Sequence, residues 1–144
     1  MSGDPFIEHA TCVAYQARGL LIRGASGRGK SALALSLMAF GADLVSDDRV
    51  KLTLQDGLVL ADSAPNIRGM IEARGIGLLA AETVGPVPVV AVVDLDKTGT
   101  DRLPAAHQTL VMGRPLPLFR AVDAPHFAPA LIQYLKSGPA KVKE

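Results

Sequence analysis

Residues Gly24-Ala25-Ser26-Gly27-Arg28-Gly29-Lys30-Ser31 follow the pattern G-x-x-x-x-G-K-[ST], the spacing of a loop that wraps a nucleotide's phosphates. Each residue type has a physical task there. Glycine carries no Cβ, so the backbone can curl until several N–H groups face one anion. Lys30 adds a flexible point charge for the outer phosphates, and Ser31 adds a hydroxyl suited to Mg²⁺. A helix starting at this point would aim its positive end at the same anion. The flanks agree: Gly19 to Arg23 is a short apolar run, as a buried strand should be, and Ser31 to Phe40 is rich in Ala, Leu and Met, as a helix should be.

A phosphate loop working with Mg²⁺ needs a carboxylate partner. Two candidates end apolar runs: Asp47-Asp48 after Leu44-Val45, and Asp94 after Val89 to Val93. Both positions suit a metal-binding aspartate, and pattern alone does not choose between them. Two acids beside one metal and one phosphate should titrate as a coupled set. One can stay ionised toward Mg²⁺ while the other exchanges a proton with a substrate hydroxyl; two solvated acids opening a turn would look the same. Glu72-Ala73-Arg74-Gly75-Ile76-Gly77 places an acid, a base and two glycines together, which reads either as backbone close to a ligand or as an ion pair beside a turn. His9 and Arg102 stand alone. His107 and His126 have no partner at metal-ligand spacing, so no zinc site is expected. Cys12 lies in an apolar run and reads as core rather than nucleophile.

Elements must hold these residues. The pattern predicts strands over Thr11–Tyr15 and Gly19–Arg23, a helix to about Phe40 stopped by Gly41, and a strand over Ala42–Val45. Val50, Leu52 and Leu54 alternate with polar residues, and Asp56-Gly57 then signals a hairpin returning through Leu58–Leu60. Residues 62–85 read as mixed, Val87 to Leu95 as a buried strand, Asp96 to Ala106 as a loop, Thr109 to Phe119 as extended at most, and Pro129 to Leu135 as a last helix. Ser137 to Glu144 reads as a flexible basic tail after a single domain over residues 1–136. The expected fold class is α/β: a P-loop nucleotide-binding core with a mixed sheet.

Bulk properties narrow the classes. At 144 residues and 49% hydrophobic, the chain suits one domain with a real core. Lys plus Arg total 15 and Asp plus Glu 14, a balance that argues against a nucleic-acid or anionic-membrane partner. One cysteine permits no internal disulfide, which fits a reducing cytoplasm. The first basic residue is Arg18, so the start lacks the charged region of a signal peptide, and no apolar run approaches a membrane span.

Together these positions resemble the bacterial HPr kinase/phosphorylase family, in its C-terminal catalytic domain. The loop Gly24–Ser31 followed by Leu44-Val-Ser-Asp-Asp-Arg-Val50 matches the family's loop and strand end without a gap. Ile71-Glu-Ala-Arg-Gly-Ile-Gly77 is similar to its signature, His9 falls where the family has a histidine, and Asp96-Lys97 with Asp101-Arg102 resembles the segment of its active-site arginine. The family phosphorylates a serine of HPr, the phosphocarrier of the sugar phosphotransferase system, using ATP and Mg²⁺. The resemblance implies that Lys30 and the loop amides hold the nucleotide, that Ser31, Glu72 and Asp47 serve Mg²⁺, and that Asp48 accepts the serine proton. It implies that Arg102 stabilises the transferring phosphoryl and that His9 positions the reactants. It also favours Asp47-Asp48 over Asp94, and implies a homo-oligomer, hexameric in the family. Many members reverse the reaction with inorganic phosphate. The motif for that, expected at Leu116–Val122, keeps only its proline and Arg120, so the forward reaction is expected to dominate. The short form resembles those of alphaproteobacteria, where HPr belongs to a regulatory relay. Two rivals remain: a small-molecule P-loop kinase, and a nucleotide-binding regulator without transfer.

Overall fold

The apolar run around residue 90 becomes the spine of the fold. In the computed structural model, which describes residues 4–140, the chain order is β1 (Phe6–Glu8), β2 (Thr11–Tyr15), β3 (Arg18–Arg23), α1 (Lys30–Ala39), β4 (Asp43–Ser46), β5 (Val50–Gln55), β6 (Leu58–Ser63), β7 (Met70–Ala73), β8 (Gly77–Ala80), β9 (Val87–Thr98), β10 (His107–Val111), β11 (Arg114–Ala121) and α2 (Phe127–Ser137). Among the described residues nine strands join one sheet in the order β1-β5-β6-β9-β3-β2-β4, with β11 on β9 and β10 on β11; β7 and β8 form a separate hairpin. β9 lies parallel to β3, with Leu20 opposite Ala91, Leu21 opposite Val92 and Ile22 opposite Val93.

Both faces of this central region are covered, which explains the unbroken apolar runs. Side chains alternate across a strand. Leu20, Ile22, Ala91 and Val93 therefore pack with Ala34 and Leu37 of α1 and Leu131 and Leu135 of α2. Leu21 and Val92 face the other way, onto Val50, Leu52, Val59, Ala61 and Leu118. Burying one such side chain contributes roughly 1.5–3 kcal/mol. The mixed α/β architecture matches the expected fold class. Among the described residues no helix is long and apolar enough to cross a membrane.

Several boundaries differ from expectation. Residues 62–85 hold the β7–β8 hairpin; every β8 residue is exposed, and the exposed–buried alternation of β7 covers only four residues, too short a run to read as a strand. β9 runs on through Asp96 to Thr98 into the stretch expected to be a loop. Thr109 to Phe119 lies in the β10–β11 hairpin, whose register spans both Pro115 and Pro117. Two residues apart, these prolines lose their donors on one edge only, so the other edge keeps its ladder. β1 is only three residues long, too short for a period. Ser137 ends α2 rather than beginning a tail, and residues 141–144 of that expected tail lie outside the described residues.

Candidate active site

The phosphate loop joins the end of β3 to the start of α1. Gly29, immediately before the helix, has φ 96°, a left-handed conformation that glycine adopts without steric cost. A Cβ on Gly24 would stand 3.1 Å from Cβ of Leu95, so glycine there permits β9 to press against the loop. Lys30 is buried and folds back, its Nζ donating to the Gly24 carbonyl at 2.6 Å.

Asp47, at the end of β4, is the hub. Its Oδ1 accepts from Ser31 Oγ at 2.6 Å and from Thr11 Oγ1 at 3.0 Å, and its Oδ2 accepts from the Glu72 N–H at 3.0 Å. Three donors satisfy the carboxylate, which is how an acid sits at 7% exposure without an orphaned oxygen. Thr11 does a second task by accepting the Asp48 N–H at 3.2 Å.

Asp48 contrasts with its neighbour. Its backbone is left-handed, φ 66°, a conformation Asp tolerates better than most residues. The turn is held because Ser46 Oγ donates to the Arg49 carbonyl at 2.5 Å and accepts the Ala64 N–H at 3.2 Å. That geometry turns the Asp48 side chain outward, 61% exposed, with Oδ1 3.0 Å from His9 Nε2. His9 is rooted by its neighbour Glu8, whose carboxylate takes two bonds from Arg23, at 2.7 and 2.9 Å. The Glu8 hydrogen bonds push the Arg23 guanidinium up from its ordinary value, against the opposing effect of burial.

A cleft of about 850 Å³ opens over these groups. Gly27, Lys30, Ser31, Asp47, Asp48 and Glu72 line one side of its chemistry, and Met70, Ile76 and Leu78 supply apolar wall from the hairpin. Of the expected loop ligands, Ser26, Gly27, Gly29, Lys30 and Ser31 line the cleft, whereas Gly24, Ala25 and Arg28 do not. His9 touches Asp48 without lining it. Arg102 is exposed in the segment between β9 and β10 and does not line the cleft. Asp94 is also away from it, accepting the Asp96 N–H at 2.9 Å.

Ser31, Asp47 and Glu72 all line the cleft and carry the hydroxyl and carboxylate oxygens that a hard cation takes beside phosphate and water. Sequence reasoning missed two residues here. Thr11 carries no signal beyond being a polar residue in an apolar strand. Asp96 accepts the Ala25 N–H and pairs with Arg28; an acid directly after the expected strand Val87 to Leu95 was the signal available.

Comparison with known proteins points to one family. Residues 5–90 match the family model described as HPr Serine kinase C-terminal domain. Curated relatives called HPr kinase/phosphorylase include those of Bordetella petrii, 43% identical over 67 residues, 46% of this chain and 22% of the relative, and Limosilactobacillus reuteri, 40% identical over 77 residues, 53% and 24%. The matched stretch thus spans about a quarter or less of those relatives' length. A solved structure titled as the Hpr(Ser) kinase/phosphatase from Coxiella burnetii superposes with TM-score 0.76 at 23% identity, covering 91% of this chain and 88% of that one, a likeness of fold.

Proposed function

The chain belongs to the HPr serine kinase C-terminal domain family, and from that premise we propose that it transfers the γ-phosphoryl of ATP to a serine of HPr or an HPr-like phosphocarrier. The observation that carries this reading is the pairing of two unlike aspartates in one cleft. Asp47 is buried and bonded to the loop's Ser31, while Asp48 beside it is exposed and paired with His9. A nucleotide sensor has no need of the second acid.

The chemistry follows from those positions. Lys30 and the loop N–H groups hold the phosphates and offset their charge. Ser31, Asp47 and Glu72 would hold Mg²⁺, which when bound neutralises charge on the phosphate oxygens. Asp48 accepts the serine hydroxyl proton as the new O–P bond forms, and the bond to the departing ADP breaks with its electron pair. His9 engages one Asp48 oxygen and so orients the other toward the acceptor. The gain is positioning and electrostatics, as phosphoryl transfer requires. Arg102 adds its charge only when its exposed segment moves to the cleft. Transfer toward HPr dominates phosphate-driven reversal, given the poor match at Leu116–Val122, and the setting is cytoplasmic.

The test is mass spectrometry of purified HPr after incubation with this chain, ATP and Mg²⁺, beside a panel of small-molecule acceptors. Phosphoserine on HPr supports the reading. Phosphorylation of a metabolite with HPr untouched would replace it with the small-molecule kinase.

A further inference from the structure

The end of β9 grips the phosphate loop. Asp96 Oδ1 and Oδ2 lie 3.1 and 3.0 Å from the Ala25 nitrogen, and Oδ1 is also 3.2 Å from Arg28 Nε. Asp96 is itself anchored, its N–H donating to Asp94 Oδ1 at 2.9 Å, and Asp94 pairs in register with Arg23, the residue that leads into the loop. Ala25, Arg28 and Asp96 do not line the cleft, whereas Ser26, Gly27, Gly29, Lys30 and Ser31 do. The carboxylate therefore holds the loop through residues that do not line the cleft.

The loop needs such a hold. Gly27 and Gly29 have φ +86° and +96°, and a Cβ added to either would meet nothing within 4 Å. Packing does not confine them, and glycine loses more conformational freedom on ordering than any other residue. A ligand that meets the loop already curled faces a smaller ordering cost.

We infer that Asp96 is a positioning residue, which sets the phosphate loop in its binding shape before nucleotide arrives. It acts through the Ala25 amide and touches no reacting atom. The amide bond is charge-assisted and carries the effect. The ion pair to Arg28, with side chains 61% and 44% exposed, adds little. The inference rests on reading the cleft as a nucleotide site.

Two measurements on the full chain test it: hydrogen exchange of the peptide over residues 24–29 without nucleotide, and titration with a fluorescent ADP analogue and Mg²⁺. Asp96→Ala should speed exchange in the loop while leaving β2 and α2 unchanged, and should weaken binding about tenfold, the usual worth of one charge-assisted hydrogen bond. Asp96→Asn, which keeps an oxygen for the Ala25 amide but not its charge, should restore part of both. Wild-type exchange and affinity in Asp96→Ala would overturn the role, as would an Asp96→Asn as impaired as Asp96→Ala. If the unaltered chain binds no nucleotide, the cleft reading falls, and loop exchange still decides whether Asp96 orders the loop.

Discussion

Ser31 Oγ donates to Asp47 Oδ1 across 2.6 Å, joining the phosphate loop to the end of β4. The same carboxylate oxygen receives Thr11 Oγ1 at 3.0 Å, so three separate strand and helix ends meet at one atom. Buried polar networks of this kind stand or fall together, because a partner left unsatisfied loses its solvation without compensation.

Thr11→Val should therefore act at two places. The valine methyl fills the same space but leaves Asp47 with one donor fewer and the Asp48 N–H without its acceptor. The expected cost is about 1–3 kcal/mol of stability, read from denaturant midpoints, together with a higher Mg²⁺ requirement for transfer. An unchanged midpoint would mean that the Thr11 hydroxyl contributes nothing to the hub.

Lys30→Ala should weaken ATP binding or transfer and leave the fold intact. Among the described residues its Nζ donates to its own loop's carbonyl, so its charge is available to phosphate, and it belongs to neither apolar core cluster. Titration with ATP beside a thermal melt checks both halves. Full activity with wild-type ATP affinity would remove the loop from the account.

Much of this site was legible because phosphate binding constrains spacing along the chain. The loop and the strands either side of it follow from local pattern, whereas Asp47-Asp48 stands level with Asp94 on pattern and is favoured only by the family resemblance. Glu72 was visible only as part of a short Gly-rich segment, since the exposed–buried alternation of β7 covers only four residues and β8 is exposed throughout. Thr11 was not visible, because its role comes from β2 lying beside β4, a pairing between distant segments. The grip of Asp96 on the loop has the same origin in the parallel pairing of β9 with β3. Arg102 shows the converse: its segment could be noted from sequence, yet its exposed bend keeps it out of the cleft in a single chain.

Glu72→Gln should raise the Mg²⁺ concentration needed for half-maximal activity, with recovery at high metal. The side chain lines the cleft while its backbone N–H already serves Asp47, so the substitution removes one charged oxygen and spares the hub. A Mg²⁺ titration superimposable on wild type would reassign Glu72 to a structural role.

Cys12 predicts an alkaline limit. Burial pushes its thiol from 9.0 up to about 12, against the lowering effect of a hydrogen bond with the Leu20 backbone. Between those values the unfolded chain loses the proton and the folded protein keeps it. Stability from this group is complete below the unfolded value and declines as pH rises toward the folded one, by up to about 1.4 kcal/mol per pH unit. Cys12→Ala should flatten that slope. Urea midpoints at about pH 8 and about pH 10.5 measure it, and equal slopes in the two proteins would contradict the assignment.

The most direct test of the account is single-turnover transfer from ATP to HPr by the unaltered chain and by Asp48→Asn, with ATP affinity measured in parallel. The amide keeps the shape of the side chain beside His9 and removes its capacity to accept a proton. Asp48→Asn should bind ATP as the unaltered chain does and transfer roughly 10²- to 10⁴-fold more slowly, the usual range for general acid–base catalysis. A variant retaining more than about a tenth of the rate, outside that range, would show that Asp48 is not the base.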